Sequence, residues 1–498
     1  MNKPIRAVSI FCLLLFLALA VNATYLQYYH ASALDDRADN GRVATATFSR
    51  ERGAILAGPN GGTVIAESVR SHDQYEYQRV YRQPFRYAAI TGWYTFGNET
   101  GVERTQNDFL SGEDDSLFVN RLVDLVNGNA TKGGNVVLTI DPAAQKAAFD
   151  GLRRLGPDVQ GSVVAIEPNT GKILAMVSLP SYDPNKLADH DFKKANAYAK
   201  QLSKTDAAPL LNRAVQTTLP PGSTFKVVTA SAAIQSGTYT SSSLVPGGPV
   251  YRLPLSNSVV HNDVVRGCGI GRIPFTQALE FSCNTSFAPI AVRVGASAMF
   301  RQAQGFGFNQ EYLQDLPNQA VSRYPAGLDP PETALSGFGQ GSVTASPLQM
   351  AMVTAGIANH GLVMSPYLVD SQQSPTSLET LKSFPPQQLS QATSSTTASQ
   401  VTKMMVATVQ SGTATPAAIP GIQVAGKTGT AQSGLTKADG SEVPPYAWFV
   451  GFAPAPSPKV AVCVMIQHVD QPTDEIHGGT LGGPIAKAVM EAVLKPHG

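Results

Sequence analysis

Residues 220–236 read PPGSTFKVVTASAAIQS. Pro220-Pro221-Gly222 interrupts regular structure, and the mostly apolar run from Ser223 to Ser236 predicts a buried helix that ends at Gly237. Ser223 and Lys226 stand three positions apart at its start, so their side chains share one face and can meet. A serine hydroxyl is a weak nucleophile. A lysine activates it only while its amine is largely neutral, which burial or a nearby positive charge would secure. The helix N-terminus favours negative charge developing on Ser223 and turns backbone amides toward it. Ser223 is therefore the candidate nucleophile and Lys226 its candidate base. Alone this SxxK pattern is weak, because two fixed positions recur by chance in a chain of 498 residues.

Two further motifs give it weight. Ser282-Cys283-Asn284 offers a hydroxyl for proton relay and an amide for a substrate carbonyl, although the same residues suit a helix cap. Lys427-Thr428-Gly429-Thr430 lies within a predicted strand, residues 422–432. Its cation and two hydroxyls suit a carboxylate, and its glycine permits close backbone approach. SxxK, SxN and KTG in this order mark penicillin-binding proteins and serine β-lactamases.

The likeness extends beyond the motifs. GSVVAIEPNTGKILAMVSLPSYDPN from Gly161, PPGSTFK from Pro220, FGQGSVTASPLQMA from Phe338, AGKTGTAQ from Ala425 and WFVGFAP from Trp448 resemble the class B penicillin-binding proteins, of the actinobacterial penicillin-binding protein A type. The resemblance covers nearly the whole chain. It implies an α+β multidomain fold: a transpeptidase domain with an antiparallel sheet flanked by helices, an N-terminal β-rich pedestal and one transmembrane helix. Arg52-Gly53-Ala54-Ile55 with Asn60-Gly61 looks like the pedestal motif but lacks its usual aspartate.

The resemblance also implies a reaction. Ser223 would attack the carbonyl between the terminal D-alanines of a peptidoglycan stem peptide, and an amine from a neighbouring stem would take the acyl group. Lys226 would act as base, Ser282 would relay the proton to the departing amine, and Lys427 would keep Lys226 neutral by like-charge repulsion. Asn284 would hold the substrate backbone, and Thr428, Gly429 and Thr430 the terminal carboxylate region. The amides of Ser223 and Thr430 would hold the oxyanion. β-Lactams would acylate the same serine. No cofactor or metal is implied. The implied partners are lipid-linked peptidoglycan and a membrane glycan polymerase of the SEDS type.

Lys3 and Arg6 precede an uncharged stretch, residues 7–29, dense in Leu, Phe, Ala and Val, and Asp35, Asp36 and Asp39 follow it. This charge order predicts a single-pass anchor with the catalytic part outside the cell membrane. A cleavable signal peptide is the alternative, with small residues at Ala18 to Ala20 and at Asn22-Ala23, and either reading exports the rest. The length exceeds one ordinary core. The expected division is an anchor at 1–29, a pedestal at 30–140 and a transpeptidase domain at 141–498, whose first helix is capped at Asp141-Pro142. Residues 161–167 and 172–178 read as strands joined by the turn Pro168-Asn169-Thr170-Gly171. A last helix is expected near 483–494, and the Ser/Thr/Gln/Pro-rich residues 371–400 read as a surface excursion.

Other classes fare worse. With 37 basic against 36 acidic residues and no basic run, nucleic acid is not an expected partner. The four cysteines show no metal-site spacing. Export leaves Cys268, Cys283 and Cys463 in an oxidising compartment, with Cys268–Cys283 the expected pair. A β-lactamase would need a water-activating ExxLN stretch after Asn284, and none follows. Residues 421–428 match GxxxxGK[ST], but a nucleotide loop follows a strand and opens a helix, whereas residues 422–424 read as strand. His261, His477, Tyr75-Glu76-Tyr77 and Glu113-Asp114-Asp115 read as structural or solvated features.

Overall fold

The computed structural model describes residues 3–29, 45, 48–96, 98–118, 121, 122, 126, 132–263, 266–436, 440 and 442–495. Lys3–Tyr29 is a 27-residue helix with no buried residue and an 18-residue window of mean hydropathy 2.4. At 1.5 Å per residue it spans about 40 Å, long and apolar enough to cross a bilayer. Asp35, Asp36 and Asp39 lie outside the described residues.

A five-stranded antiparallel sheet carries the transpeptidase part, in the order Ala425–Ala431, Tyr446–Ala453, Val460–His468, Gln160–Ile166, Ile173–Leu179. Both faces are covered, so its strands are rich in Val, Ile, Ala and Met throughout. The two-residue period still sorts them: Val163, Ala165, Val462 and Val464 join one core, and Val164, Ile166, Cys463 and Met465 the other. The first face packs on helices Pro142–Arg153 and Gly483–Leu494, the second on Pro347–Ala358, which is buried along its length. Asp141 caps its helix by accepting from the Ala143 and Ala144 amides.

The N-terminal part is less purely β than expected, with helices Pro84–Thr91, Gly101–Thr105 and Asn107–Ser111 beside its strands. Its sheet has six strands, in the order Thr380–Ser383, Val369–Gln373, Asn135–Leu138, Ile55–Ala57, Thr63–Arg70, Tyr77–Tyr81. The first, and the end of the second, come from the stretch read as a surface excursion: residues 375–392 are mostly exposed, as that reading expects, but residues 371–373 are not. Ser371, Gln372 and Gln373 are buried, because their strand pairs with residues 135–138 and Gln372 donates to Gln106 at 2.8 Å. The same stretch ends by opening the core helix Ser395–Gln410, capped by Ser394. A division at residue 140 therefore cuts through one hydrogen-bonded sheet.

Candidate active site

Ser223 does not sit on the α-helix expected from residue 223. Gly222–Phe225 form a 3-10 turn, and the α-helix runs Lys226–Gln235. Gly222 enters the turn at φ 53°, where a side chain would meet Thr430 O and Ala431 Cβ at 2.9 Å, and Thr224 Oγ1 donates to Pro221 O at 2.7 Å. With three residues per turn, positions three apart eclipse. Lys226 Nζ accordingly lies 2.9 Å from Ser223 Oγ.

The amine meets three other oxygens: Asn284 Oδ1 at 2.6 Å, Ser282 O at 2.7 Å and Ser282 Oγ at 3.1 Å. A neutral amine has two N–H donors and one lone pair. If the donors go to the two nearest acceptors, the lone pair is left for the Ser223 proton. Lys226 is fully buried, and its pKa is held well below the usual 10.5, first by that burial and then by the charge of Lys427. Burial thus outranks the like-charge repulsion expected from sequence. Lys427 is itself lowered to about 7 by burial.

Ser282 joins the two lysines. Its hydroxyl accepts from Lys427 Nζ at 2.9 Å and lies 3.1 Å from Lys226 Nζ. Its backbone has φ 60°, a left-handed conformation costly for serine, and this accompanies the carbonyl's contact with Lys226. Asn284 donates through Nδ2 to His261 O at 3.0 Å while Oδ1 receives Lys226, so in this state its amide is engaged rather than free for substrate. Cys283, between them, is bonded to Cys268, and both are buried; Cys463 is a buried free thiol. Thiol titration of the denatured, unreduced full chain is expected to find two thiols, Cys12 and Cys463, and four after reduction. Four before reduction would remove the bridge.

The KTG residues lie in the middle of an edge strand. Lys427, Thr428 and Gly429 pair with Val450, Phe449 and Trp448, so Lys427 opens no helix and the nucleotide-loop pattern is coincidental. The strand begins at Ala425, later than expected, because the chain folds back through an Ile419–Ile422 bridge. A side chain at Gly429 would stand 3.0 Å from Thr224 Cγ2, so glycine here lets the strand close on the serine turn. Thr428 Oγ1 is paired with Thr413 Oγ1 at 2.7 Å. Thr413 carries no motif signal and was missed by sequence reasoning.

Ser223, Asn284 and Thr430 line a cleft of about 460 Å³ with His261, Asp263 and Phe338. His261 thus borders the site, which its sequence setting did not suggest. A cavity of about 450 Å³ between Pro84–Thr91 and residues 208–216 contains none of the motif residues. Among the described residues no group of three His, Cys, Asp or Glu side chains could hold a metal ion.

Residues 161–491 match the penicillin binding protein transpeptidase domain, and residues 52–136 the penicillin binding protein A dimerisation domain. The chain belongs to the penicillin-binding protein transpeptidase family. Peptidoglycan D,D-transpeptidase PbpA of Mycolicibacterium smegmatis is 41% identical over 99% of both chains, and that of Mycobacterium tuberculosis 38% identical over 99% of both. Penicillin-binding protein A from M. tuberculosis, solved as an imipenem acyl-enzyme complex, superposes with a TM-score of 0.83 at 38% identity, covering 91% of this chain and all of that one. Pseudomonas aeruginosa PBP2 matches at TM-score 0.71 and 30% identity, over 91% of this chain and 98% of that one. In this penicillin-binding protein the three motifs, far apart in sequence, converge on two buried lysines and one serine hydroxyl.

Proposed function

We propose that this penicillin-binding protein is a serine D,D-transpeptidase that crosslinks peptidoglycan stem peptides. The observation that carries the reading is the Lys226 amine, fully buried and 2.9 Å from Ser223 Oγ. Ser223 attacks the carbonyl carbon between the terminal D-alanines as Lys226 takes its proton. Ser282 passes a proton to the departing D-alanine nitrogen, and the acyl ester remains on Ser223. An amine of a neighbouring stem then attacks the ester, forming the crosslink and restoring the hydroxyl. Thr430, which lines the cleft, and the buried Lys427 on the same strand suit the terminal carboxylate, with Thr428 supported by Thr413. The homologues named as D,D-transpeptidases and the acyl-enzyme structure of a relative support this assignment.

Lys3–Tyr29 serves in this reading as a single-pass anchor with the catalytic part outside the cell membrane, beside a glycan polymerase of the SEDS type that supplies uncrosslinked strands. After exposure to penicillin, intact mass is expected to show one adduct that persists for many minutes, and peptide mapping to locate it on Ser223. Release within seconds would indicate a hydrolytic β-lactamase, and an adduct elsewhere would overturn the assignment.

A further inference from the structure

The cleft that holds Ser223 does not end at Thr430. A cavity of about 560 Å³ continues beyond it, and the two share Asp263, Thr430 and Gln432. Among the described residues no Lys or Arg lines this second arm, whereas Asp263, Glu442 and His477 do. Asp263 stands where the arms meet, and its neighbours hold it there. Asn262 Nδ2 donates to Gly248 O at 2.9 Å and Thr285 Oγ1 at 3.0 Å, and Asn262 Oδ1 accepts from the Thr285 amide at 3.1 Å. The preceding carbonyl, of His261, accepts from Asn284. The segment is thus tied to Asn284, which also holds Lys226, and to its neighbour Thr285. The Asp263 carboxylate is exposed and, among the described residues, has no hydrogen bond or contact ion pair, although its charge acts at longer range on the buried Lys226 and Lys427.

Resting on the transpeptidase reading, we propose that Asp263 binds the ammonium form of the acceptor amine beside the acylated serine and so favours crosslinking over hydrolysis. A lysine-like amine has a pKa of about 10.4, so it reaches the cleft as a cation. An unpaired carboxylate at the meeting of the arms attracts that cation to the acyl ester, and the second arm accommodates the peptide that carries it. The ammonium gives one proton to solvent before attack. The neutral nitrogen then bonds to the ester carbonyl carbon and regains positive charge, which Asp263 stabilises, before the bond from carbon to Ser223 Oγ breaks and one nitrogen proton moves to that oxygen. Asp263 thereby sets specificity for the acceptor while Ser223 and Lys226 perform the bond changes.

The test uses the full chain in detergent, a donor peptide ending in D-Ala-D-Ala, and an acceptor peptide with a free side-chain amine below saturation. The quantity read is the ratio of aminolysis to hydrolysis product. Both arise from one acyl-enzyme, so the ratio cancels any change in acylation. Asp263→Asn is expected to lower it about fivefold, a modest factor because exposed ion pairs are screened by solvent. Asp263→Glu should stay within about twofold of wild type, and raised salt should bring wild type down toward the Asn variant. An unchanged ratio in Asp263→Asn, or an equal fall in Asp263→Glu, overturns the proposal. A wild type that yields neither product overturns the transpeptidase reading and this proposal with it.

Discussion

Ser223→Ala is expected to form no penicillin adduct, whereas Lys226→Met keeps the nucleophile and slows acylation about 10³-fold, within the span of a lost general base. The two variants separate nucleophile from base. The methionine leaves Asn284 Oδ1 and Ser282 O without the donor that now lies 2.6 and 2.7 Å away, so thermal melting must accompany the kinetics to show a folded chain. The measurement is intact mass against time at several penicillin concentrations. Equal rates in wild type and Lys226→Met would remove the lysine from its proposed role.

The same pair sets a pH dependence. Burial first, and Lys427 second, hold the Lys226 amine well below 10.5, so the proton-accepting form persists to lower pH than in a free lysine and is lost as pH falls through the lowered pKa. Acylation should therefore decline on the acid side. Lys427, lowered to about 7, loses charge above that pH and with it attraction for a substrate carboxylate, which bounds the alkaline side. Replacing Lys427 with alanine removes one of the two causes, so the acid limb should move to higher pH. Alkaline movement in Lys427→Ala and a 10³-fold loss in Lys226→Met together would identify Lys226 as the acid-limb group.

Much of this was legible in the sequence because it depended on local chemistry. Asp141-Pro142 announces a helix start, residues 161–178 carry a turn between two apolar runs, and residues 483–494 form the expected last helix. The site motifs were legible as residue types in a required order. The geometry was not. Nothing in Ser282-Cys283-Asn284 reveals that a backbone carbonyl and an amide oxygen hold Lys226, since this follows from a left-handed residue at 282 and a helix beginning at 284. Thr413 and Asp263 reach the site from loops whose sequences are ordinary. Residues 371–373 read as solvated because they are serine and glutamine, and only pairing with a strand more than two hundred residues earlier buries them.

The N-terminal part supplies the second large effect: Glu103→Gln is expected to lower stability by about 3–5 kcal/mol, the usual cost of removing one partner from a buried charge cluster. Glu103 is fully buried between Arg52 and Arg79, both nearly so. Arg52 Nε donates to Oε2 at 2.7 Å and Arg79 Nε to Oε1 at 2.6 Å, while Tyr81 OH donates to Oε1 at 3.1 Å. Both guanidiniums also serve the backbone, Arg52 at Glu103 O and Arg79 at Gly53 O, so neither can turn to solvent when the carboxylate is lost. Burial alone would raise the Glu103 pKa, but the charges of Arg79 and Arg52 and their hydrogen bonds outweigh it and hold it below 4.5. A depressed carboxylate contributes its stability above the unfolded-state pKa and loses it as pH falls through the folded value. The gap between wild type and Glu103→Gln should therefore be constant near neutrality and narrow below about pH 4.5. Denaturant unfolding at pH 7 and pH 4 reads both quantities. A variant as stable as wild type at pH 7 would show that two buried arginines tolerate each other without Glu103, which the electrostatics of a low-dielectric interior oppose.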